Sequence, residues 1–137
     1  MSFRTGIFLQ ARLGSVRLPG KALLKIEGKT IISHAMDSLK NVGADIHALL
    51  TDEQSLAELA PYAALSGFEI FAGSAEDVLD RYISAAEEYD IETIIRATGD
   101  NPLVDAHAAE LILQSHINAS ADYSGFDDMP LGTGVEV

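Results

Sequence analysis

The feature that most constrains the fold of this 137-residue chain is a fourfold alternation of apolar strands with amphipathic helices. Short apolar runs predict strands over about 5–11, 45–50, 68–71 and 92–97. Apolar positions at helical spacing predict helices over about 31–39, 54–60, 78–86 and 105–117. This alternation is typical of βαβ units, in which helices cover both faces of a mostly parallel sheet. We therefore predict one three-layer α/β domain over residues 1–137.

Several local signals refine this prediction. Thr30 is expected to cap the first helix, and Pro61 is expected to kink or restart the second. Ser74 and Asp77 have a spacing close to that of a capping box. Residues 121–124 and 135–137 are predicted as further strand segments. Because a three-residue edge strand leaves a sheet uncovered, we expect the domain to be truncated at its C-terminal side or to pair with a second copy.

Charge is distributed very unevenly along the chain. The net charge is −12, which argues against a general binder of nucleic acid or of acidic membranes. Residues 1–30 nevertheless carry a net charge of +5, while residues 31–137 carry −17. A small positive region in an acidic domain suits a compact anionic ligand such as a nucleotide. The alternative is a lysine-rich surface loop with no ligand.

Composition narrows the remaining functional classes. The chain has no cysteine, which excludes disulfides, thiolate metal sites and a catalytic thiol. The apolar run after residues 1–5 is too short for a signal peptide, and no stretch approaches the roughly 18 apolar residues of a membrane span. We therefore expect a cytoplasmic protein with no membrane partner.

A basic loop at residues 10–21 follows the first predicted strand. It holds Arg12, Arg17 and Lys21 together with Gly14 and Gly20. In an α/β fold, a glycine-bearing loop after a strand can bring backbone N–H groups close to a phosphate. The spacing matches neither the Walker phosphate loop nor the GxGxxG dinucleotide pattern. The loop is thus a moderate signal for phosphate binding of another type.

A second polar turn, Thr98-Gly99-Asp100-Asn101-Pro102, follows the last predicted strand. A carboxylate at this position could hold Mg²⁺ together with substrate phosphates. It could equally serve as a cap for the helix that follows, because Asp and Asn both cap well. The two readings remain open from this segment, and the nearby basic loop favours the metal.

Other polar residues have simpler explanations. The acidic residues at 76, 77 and 80 favour the dipole of their helix, and Arg81 is expected to form an intrahelical ion pair with Asp77, a ligand contact being the alternative. The four histidines, at 34, 47, 107 and 116, have no metal-ligand spacing and are expected to be structural or exposed. No Ser–His–Asp grouping is apparent, and Ser15 is better placed to bind phosphate than to attack a substrate.

Three stretches of the chain resemble the sugar-nucleotide cytidylyltransferases, which include the enzymes that make CMP-activated 2-keto-3-deoxy sugars and sialic acids. The first stretch is Ala11-Arg12-x-x-Ser15-x-Arg17-Leu18-Pro19-Gly20-Lys21-x-Leu23, followed by Ile26-x-Gly28-Lys29-x-Ile31-x-x-His34. The others are Gly73-Ser74-x-x-Asp77-Val78-Leu79-x-Arg81-Tyr82 and Arg96-x-Thr98-Gly99-Asp100-x-Pro102-Leu103-x-Asp105. With Asp122-Tyr123 and Gly132-x-Gly134-Val135-Glu136-Val137, they are most similar to the branch named for spore-coat polysaccharide biosynthesis protein F.

The resemblance implies a Rossmann-like fold of the glycosyltransferase-A type and a reaction in which CTP and a sugar give a CMP-sugar and pyrophosphate, with Mg²⁺ as cofactor. It implies catalytic roles for Arg12 and Lys21, and it assigns Asp100 to the metal. The implied nucleotide-binding residues are Ala11, Arg12, Gly14, Ser15, Arg17, Lys21, Thr51, Asp52, Ser74, Asp77 and Arg81. It also allows a homodimer, in a role in polysaccharide or modified-sugar synthesis.

Two alternative functions remain open at this point. The chain could be a truncated, non-catalytic nucleotide-binding module, which would bind CTP without releasing pyrophosphate. It could also be a glycosyltransferase on the same fold, which would bind a finished nucleotide sugar and ignore CTP.

Overall fold

A computed structural model describes residues 3–137 of the chain. A short 3₁₀ turn at Lys21–Leu23 follows the first strand. In chain order the strands and helices are β1 (Thr5–Gln10), β2 (Lys25–Ile26), β3 (Lys29–Thr30), α1 (Ile31–Leu39), β4 (Ile46–Asp52), α2 (Glu53–Ser66), β5 (Glu69–Gly73), α3 (Val78–Tyr89), β6 (Thr93–Thr98) and α4 (Ala106–Ala119).

The main sheet is parallel and has the strand order β5-β4-β1-β6. Strands β2 and β3 form a separate two-stranded antiparallel ribbon. From β1 the chain adds β4 and β5 on one side of the sheet and then returns to add β6 on the other side. The strand order therefore reverses beside β1. Open α/β sheets bind ligands at the carboxyl ends of the strands at such a reversal. The predicted α/β architecture is confirmed.

Both faces of the sheet are covered. Alternation along β1 sends Ile7 and Leu9 to one face and Phe8 to the other. The first face packs against α1, α2 and α4 and forms the larger core, while α3 covers the second face through Tyr82 and Ala85. The three layers expected from the sequence are therefore present. No helix within residues 3–137 is long and apolar enough to cross a membrane.

Each of the four helices begins at a side chain that caps its first turn. The hydroxyl of Thr30 and the carboxylates of Asp52, Asp77 and Asp105 each accept a hydrogen bond from the N–H three residues further on. Such a cap satisfies one of the backbone donors that a helix leaves free at its start. The capping role predicted for Thr30 is confirmed. For α3, the cap is Asp77 and not Ser74, whose hydroxyl instead accepts from the Asp77 N–H at 3.1 Å.

Helix α2 differs from its predicted form because it runs through Pro61 to Ser66 without a break. Proline removes one helical hydrogen bond, but the residues on either side, Leu59 and Ala63, are fully buried in the core. Burial of this face offsets the missing bond. The predicted restart at Pro61 is wrong. The sequence also predicts that Gly67 ends this segment, and this is confirmed, since Gly67 caps α2 in the left-handed conformation (φ 74°).

Apolar spacing predicts that Val78, Leu79, Tyr82, Ile83 and Ala86 form the buried face of α3, with Arg81 on another face, and the structure differs from this prediction. Leu79 is 70% exposed and Ile83 is 48% exposed, whereas Arg81 is only 2% exposed. The helix is thus rotated so that Arg81 and Tyr82 face the protein. Apolar spacing failed here because Arg81 donates hydrogen bonds to backbone carbonyls of the turn just before the helix.

The C-terminal residues run alongside β6. Backbone hydrogen bonds join Arg96 to Glu136 in both directions, which adds an antiparallel bridge to the sheet. Ser124 and Val137 are joined in the same way, at 2.7 and 3.0 Å. The strand character predicted for residues 135–137 is thus reduced to one bridge. Residues 121–124 form no strand, because only Ser124 meets the terminal segment.

Asp37 links α1 to β3 and to α2. Its carboxylate pairs with Lys29 of β3 and accepts a hydrogen bond from Ser66 of α2 at 3.1 Å. Burial raises the pKa of Asp37. The hydrogen bonds from Lys29 and Ser66 and the charges of Lys29 and Lys40 outweigh this effect, so the pKa lies below its ordinary value of 3.8. The ionised carboxylate therefore stabilises the folded state above that pH.

We expect Asp37→Asn to lower the free energy of unfolding at pH 7 by about 1 kcal/mol, measured by urea denaturation. Because the folded-state pKa lies below the unfolded value of 3.8, the difference from the native protein should shrink as the pH falls through the folded-state pKa. Asp128→Asn, at an exposed loop position, is the control and should change stability little. A difference that persists unchanged in acid would contradict the ionic role of Asp37.

Candidate functional site

A cavity of ≈ 590 Å³ opens at the carboxyl ends of β1 and β6, where the strand order reverses. Its walls come from the basic loop after β1, the turn after β6 and the start of α3. The lining residues are Gln10, Ala11, Arg12, Ser15, Arg17, Leu18, Lys21, Ala22, Val78, Arg81, Thr98, Gly99 and Asp100. Its volume is in the range of small-molecule sites. We call it the basic cleft.

The basic loop is held in shape by its backbone. The Gly20 N–H donates to the Leu13 carbonyl at 2.9 Å and closes residues 13–20 into a ring. Gly20 has a φ of 71°, which favours glycine, and it leads directly into the 3₁₀ turn at Lys21. The Leu13 N–H donates to Ser55 Oγ at 2.9 Å, and the Ser55 N–H donates to the Asp52 carboxylate at 2.8 Å. The first turn of α2 thereby anchors the loop.

The turn after β6 approaches the basic loop very closely at Gly99. The Gly99 N–H donates to the Gln10 carbonyl at 2.8 Å, which extends the pairing of β1 with β6 beyond the strands. A Cβ atom at Gly99 would lie 2.8 Å from the Ala11 Cβ and 3.0 Å from the Gln10 carbonyl oxygen. Only glycine allows this approach, which brings the two polar loops together across the basic cleft.

Lys21 and Asp100 meet at this contact. Lys21 Nζ lies 3.2 Å from Asp100 Oδ2, and both side chains are about half exposed. Burial raises the pKa of Asp100, but hydrogen bonds from Lys21 and Thr98 and the charge of Lys21 outweigh it, so the pKa lies below its ordinary value of 3.8. Asp100 is therefore a carboxylate at neutral pH and is available to a cation.

The donor set around Asp100 suits a magnesium ion only if other ligands complete it. Residues 3–137 hold no cluster of three or more His, Asp or Glu side chains able to bind a metal by themselves. A lone carboxylate beside three basic residues fits the other common arrangement, in which one carboxylate and substrate phosphates share the ion. The residues present therefore fit Mg²⁺ that enters together with a phosphorylated ligand. The structure also places Asp105, and not Asp100, at the cap of α4.

Two arginines on opposite sides of the basic cleft share one carbonyl group. Arg81 donates through Nε to the Ser74 carbonyl at 2.7 Å and through Nη2 to the Ala75 carbonyl at 2.9 Å. Arg12 reaches across and donates through Nη1 to the same Ala75 carbonyl at 2.8 Å. The ion pair predicted between Arg81 and Asp77 is absent, because the buried guanidinium points towards the 74–75 backbone while Asp77 caps the helix.

The structure gathers more than half of the predicted site residues in the basic cleft. Those that line it are Ala11, Arg12, Ser15, Arg17, Lys21, Arg81 and Asp100. Those that do not are Gly14, Thr51, Asp52, Ser74 and Asp77. The nucleotide-binding role of this second group stays a prediction.

The second group has structural roles of its own. Thr51 and Asp52 are buried at the end of β4, where Asp52 caps α2 and supports the basic loop through Ser55. Ser74 and Asp77 shape the turn before α3. Gly14 lies at the surface, and a Cβ atom there would meet nothing within 4 Å, so this backbone does not require glycine.

Some residues of the cleft were absent from the predicted set. Thr98 and Gly99 belong to the polar turn after β6, in which the sequence predicts a role for Asp100 alone. Gln10 ends β1, and its side-chain oxygen is one of two buried side-chain polar atoms that have no partner within the described residues. Val78, the first residue of α3, also lines the cleft.

Replacement of Arg81 tests whether its guanidinium organises this wall. Arg81→Met removes two charge-assisted hydrogen bonds and should lower the free energy of unfolding by about 2–3 kcal/mol. Arg81→Lys should recover only part of this loss, because an ammonium group lacks the planar fork that reaches two carbonyls. Urea denaturation measures both. Arg4→Lys, at an exposed ion pair with Asp90, is the control, and equal losses at the two positions would exclude a special role for Arg81.

Comparison with known proteins gives consistent similarities. The family model described as cytidylyltransferase matches residues 7–137. The chain is 32% identical over 135 residues to the spore coat polysaccharide biosynthesis protein SpsF of Bacillus subtilis, covering 94% of this chain and 56% of that protein. It is also 32% identical over 137 residues to 3-deoxy-manno-octulosonate cytidylyltransferase 2 of Hydrogenovibrio crunogenus, with coverages of 92% and 51%.

Solved structures show the same relationship in three dimensions. A cytidylyltransferase from Leptospira borgpetersenii superposes with a TM-score of 0.91 at 31% identity, over 98% of this chain and 60% of that one. A CMP:2-keto-3-deoxy-manno-octonic acid synthetase complexed with CTP superposes with a TM-score of 0.76 at 25% identity, over 90% and 54%. The chain spans about half the length of the curated relatives that it matches. With a family model that matches nearly all of its residues, the chain belongs to the cytidylyltransferase family.

Proposed function

We propose that this chain binds CTP in the basic cleft and carries the nucleotide-binding part of an enzyme that transfers CMP to a sugar with release of pyrophosphate. The observation that supports this proposal most directly is the meeting of Arg12, Arg17 and Lys21 with Asp100 in one cleft at the carboxyl edge of the sheet. Polysaccharide or modified-sugar synthesis is the setting that this reaction would serve.

The charges of the basic cleft support a triphosphate ligand. Its lining holds four cationic residues and one acidic residue, in a chain whose net charge is −12. Such a local excess of positive charge attracts a polyanion of limited size. The planar guanidinium groups can each bind two phosphate oxygens, and the ammonium group of Lys21 can bind others.

The named relatives support cytidine as the base and a sugar as the acceptor. The cytidylyltransferase from Hydrogenovibrio crunogenus is named for 3-deoxy-manno-octulosonate, and the synthetase structure was solved with CTP. We carry these ligands to the present chain by family membership.

The proposed reaction needs positioning and charge stabilisation, and no covalent nucleophile. A sugar hydroxyl attacks the α-phosphorus as its bond to the pyrophosphate oxygen breaks, and the hydroxyl proton is lost to solvent. The negative charge that grows on the pyrophosphate would be stabilised by Arg12, Arg17 and Lys21. Bound Mg²⁺, held by Asp100 and phosphate oxygens, would supply Lewis-acid polarisation. Pyrophosphate release with a sugar panel would distinguish this enzyme from a module that only binds CTP.

Binding requires Lys21 and Asp100 to exchange partners. Each now neutralises the other at 3.2 Å, whereas the proposed complex needs the lysine on a phosphate and the carboxylate on the metal. Half-exposed ion pairs of this kind contribute about 0–1 kcal/mol, so the exchange costs little. The pair therefore keeps both groups at the site while leaving them available.

Lys21→Ala should weaken binding of CTP by about tenfold or more, because it removes a charged donor to the phosphates. Binding of cytidine, which has no phosphate, should change by less than about twofold. Titration calorimetry in the presence of Mg²⁺ measures both ligands. The matched control is Lys25→Ala, which removes an exposed cation outside the cleft. Equal losses for CTP and cytidine would show that Lys21 is not a phosphate ligand, and the absence of binding heat for CTP in the native protein would refute the proposed function.

Asp100→Ala should abolish the dependence of CTP binding on Mg²⁺. In the native protein, removal of the metal with EDTA is expected to weaken CTP binding, since the ion links the carboxylate to the phosphates. In the variant, titrations with and without EDTA should give similar affinities. Asp122→Ala removes a charge from an exposed site outside the cleft and should keep the native dependence. A full metal dependence in Asp100→Ala would assign Asp100 to the shape of the turn alone.

A further inference from the structure

The backbone on either side of Arg12 is fixed by a hydrogen bond to a different element of the fold. On the preceding side, the Ala11 N–H donates to the Leu50 carbonyl of β4 at 3.0 Å. On the following side, the Leu13 N–H donates to Ser55 Oγ in the first turn of α2 at 2.9 Å. Arg12 therefore projects from a stretch of backbone that is held at two points, and the direction of its side chain depends on both.

The two anchors differ in the groups that provide them. The bond at Ala11 joins two backbone groups and continues the pairing of β1 with β4, so it does not depend on a side chain. The bond at Leu13 depends on one hydroxyl group. Ser55 is 2% exposed and lines no part of the basic cleft. The position of Arg12 in the cleft is thus tied to a side chain that lies outside it.

Ser55 is itself held firmly by the helix in which it lies. Its N–H donates to the buried Asp52 carboxylate at 2.8 Å, which is the capping bond of α2. Such a bond fixes the first turn of a helix. Further along, Leu59 and Ala63 pack α2 into the larger core. The Ser55 hydroxyl is therefore a rigid acceptor, as is required of a group that holds a binding loop in place.

Loss of the Ser55 hydroxyl would affect Arg12 before the rest of the basic loop. The loop has its own closing bond, from the Gly20 N–H to the Leu13 carbonyl at 2.9 Å, and a 3₁₀ turn begins at Lys21. Neither feature involves Ser55. The Leu13 N–H, in contrast, would lose its partner, and the neighbouring Arg12 backbone would lose one of its two anchors. A displacement of about 1 Å can remove much of the effect of a positioned group.

The side chain of Arg12 has to change partners when a triphosphate binds. Its Nη1 now donates to the Ala75 carbonyl at 2.8 Å. Phosphate oxygens carry charge and are stronger acceptors than a carbonyl, so the guanidinium would move to them. Because the side chain moves, the set of positions that it can reach is determined by its backbone. That backbone position is the one that Ser55 fixes.

We infer that Ser55 is a positioning residue for the triphosphate, which acts by holding the backbone next to Arg12 so that the guanidinium can reach the phosphate oxygens. The inference rests on the proposed function for the identity of the ligand. A purely structural Ser55 would contribute to the stability of the fold and leave the CTP affinity of the folded protein unchanged. The two roles therefore differ in what a substitution at Ser55 does to binding.

The test compares Ser55→Ala with Ser66→Ala. Both are buried serines of α2 whose side chains form a hydrogen bond, Ser55 with Leu13 and Ser66 with Asp37 at 3.1 Å, but Ser66 ends the helix and lies outside the cleft. Both variants should be destabilised in urea. Only Ser55→Ala should bind CTP about tenfold more weakly in calorimetry with Mg²⁺, while cytidine binding changes by less than about twofold.

Ser55→Ala keeps the cap of α2, because the donor to Asp52 is a backbone N–H. Ser55→Cys repeats the comparison with nearly the same volume and a weakly accepting thiol, and it should show the same pattern. Amide hydrogen exchange measured by NMR reports the bond itself, since the Leu13 N–H should exchange faster in both Ser55 variants and at the native rate in Ser66→Ala.

A double-mutant cycle tests whether Ser55 acts through Arg12. Arg12→Ala alone should weaken CTP binding, because it removes a charged donor to the phosphates. In that background, Ser55→Ala should weaken binding by less than about twofold more, since no guanidinium remains to be misplaced. Losses that simply add in the double variant would show that Ser55 does not act through Arg12, and they would overturn the inference.

The remaining outcomes separate the inference from the proposed function. If the native protein binds CTP and Ser55→Ala binds it as tightly as Ser66→Ala does, the inference is wrong and the function stands. If Ser55→Ala weakens CTP and cytidine equally, the substitution disturbs the fold and not the placement of Arg12, and the inference is again wrong. If the native protein gives no binding heat with CTP, the proposed function fails and the inference fails with it.

Discussion

The pairing of β1 with β6 is the contact on which the candidate site depends. The two strands are adjacent in the sheet although 82 residues separate their ends, and the ladder continues past them through the Gly99 N–H and the Gln10 carbonyl. Since the two strands are parallel, both of their polar loops emerge at the same edge. Gly99 then lets the loops approach to the point where Lys21 and Asp100 touch. The site is thus a product of topology and of one missing Cβ atom.

Arg81 shows how the opposite wall is held without an ion pair. A cation that is 2% exposed normally requires a carboxylate, yet its hydrogen bonds go to the Ser74 and Ala75 carbonyls. Carbonyl oxygens satisfy the donors and leave the positive charge formally uncompensated. That charge adds to those of Arg12 and Lys21 across the cleft. The arrangement holds the wall in place and leaves a positive field where a triphosphate is proposed to bind.

Much of this could be predicted from the sequence, because it depends on local rules. Strand and helix alternation predicted the parallel layers, and the polar loops after β1 and β6 were expected to lie at one edge. The errors arise where packing or hydrogen bonding overrides the apolar pattern. Burial of Leu59 and Ala63 carries α2 through Pro61, and the Ser74 and Ala75 carbonyls just before α3 hold Arg81 inward. The roles of Thr51 and Asp52 in supporting the basic loop depend on Ser55, whose contact with Leu13 spans 42 residues. No periodicity in the sequence reports such a contact.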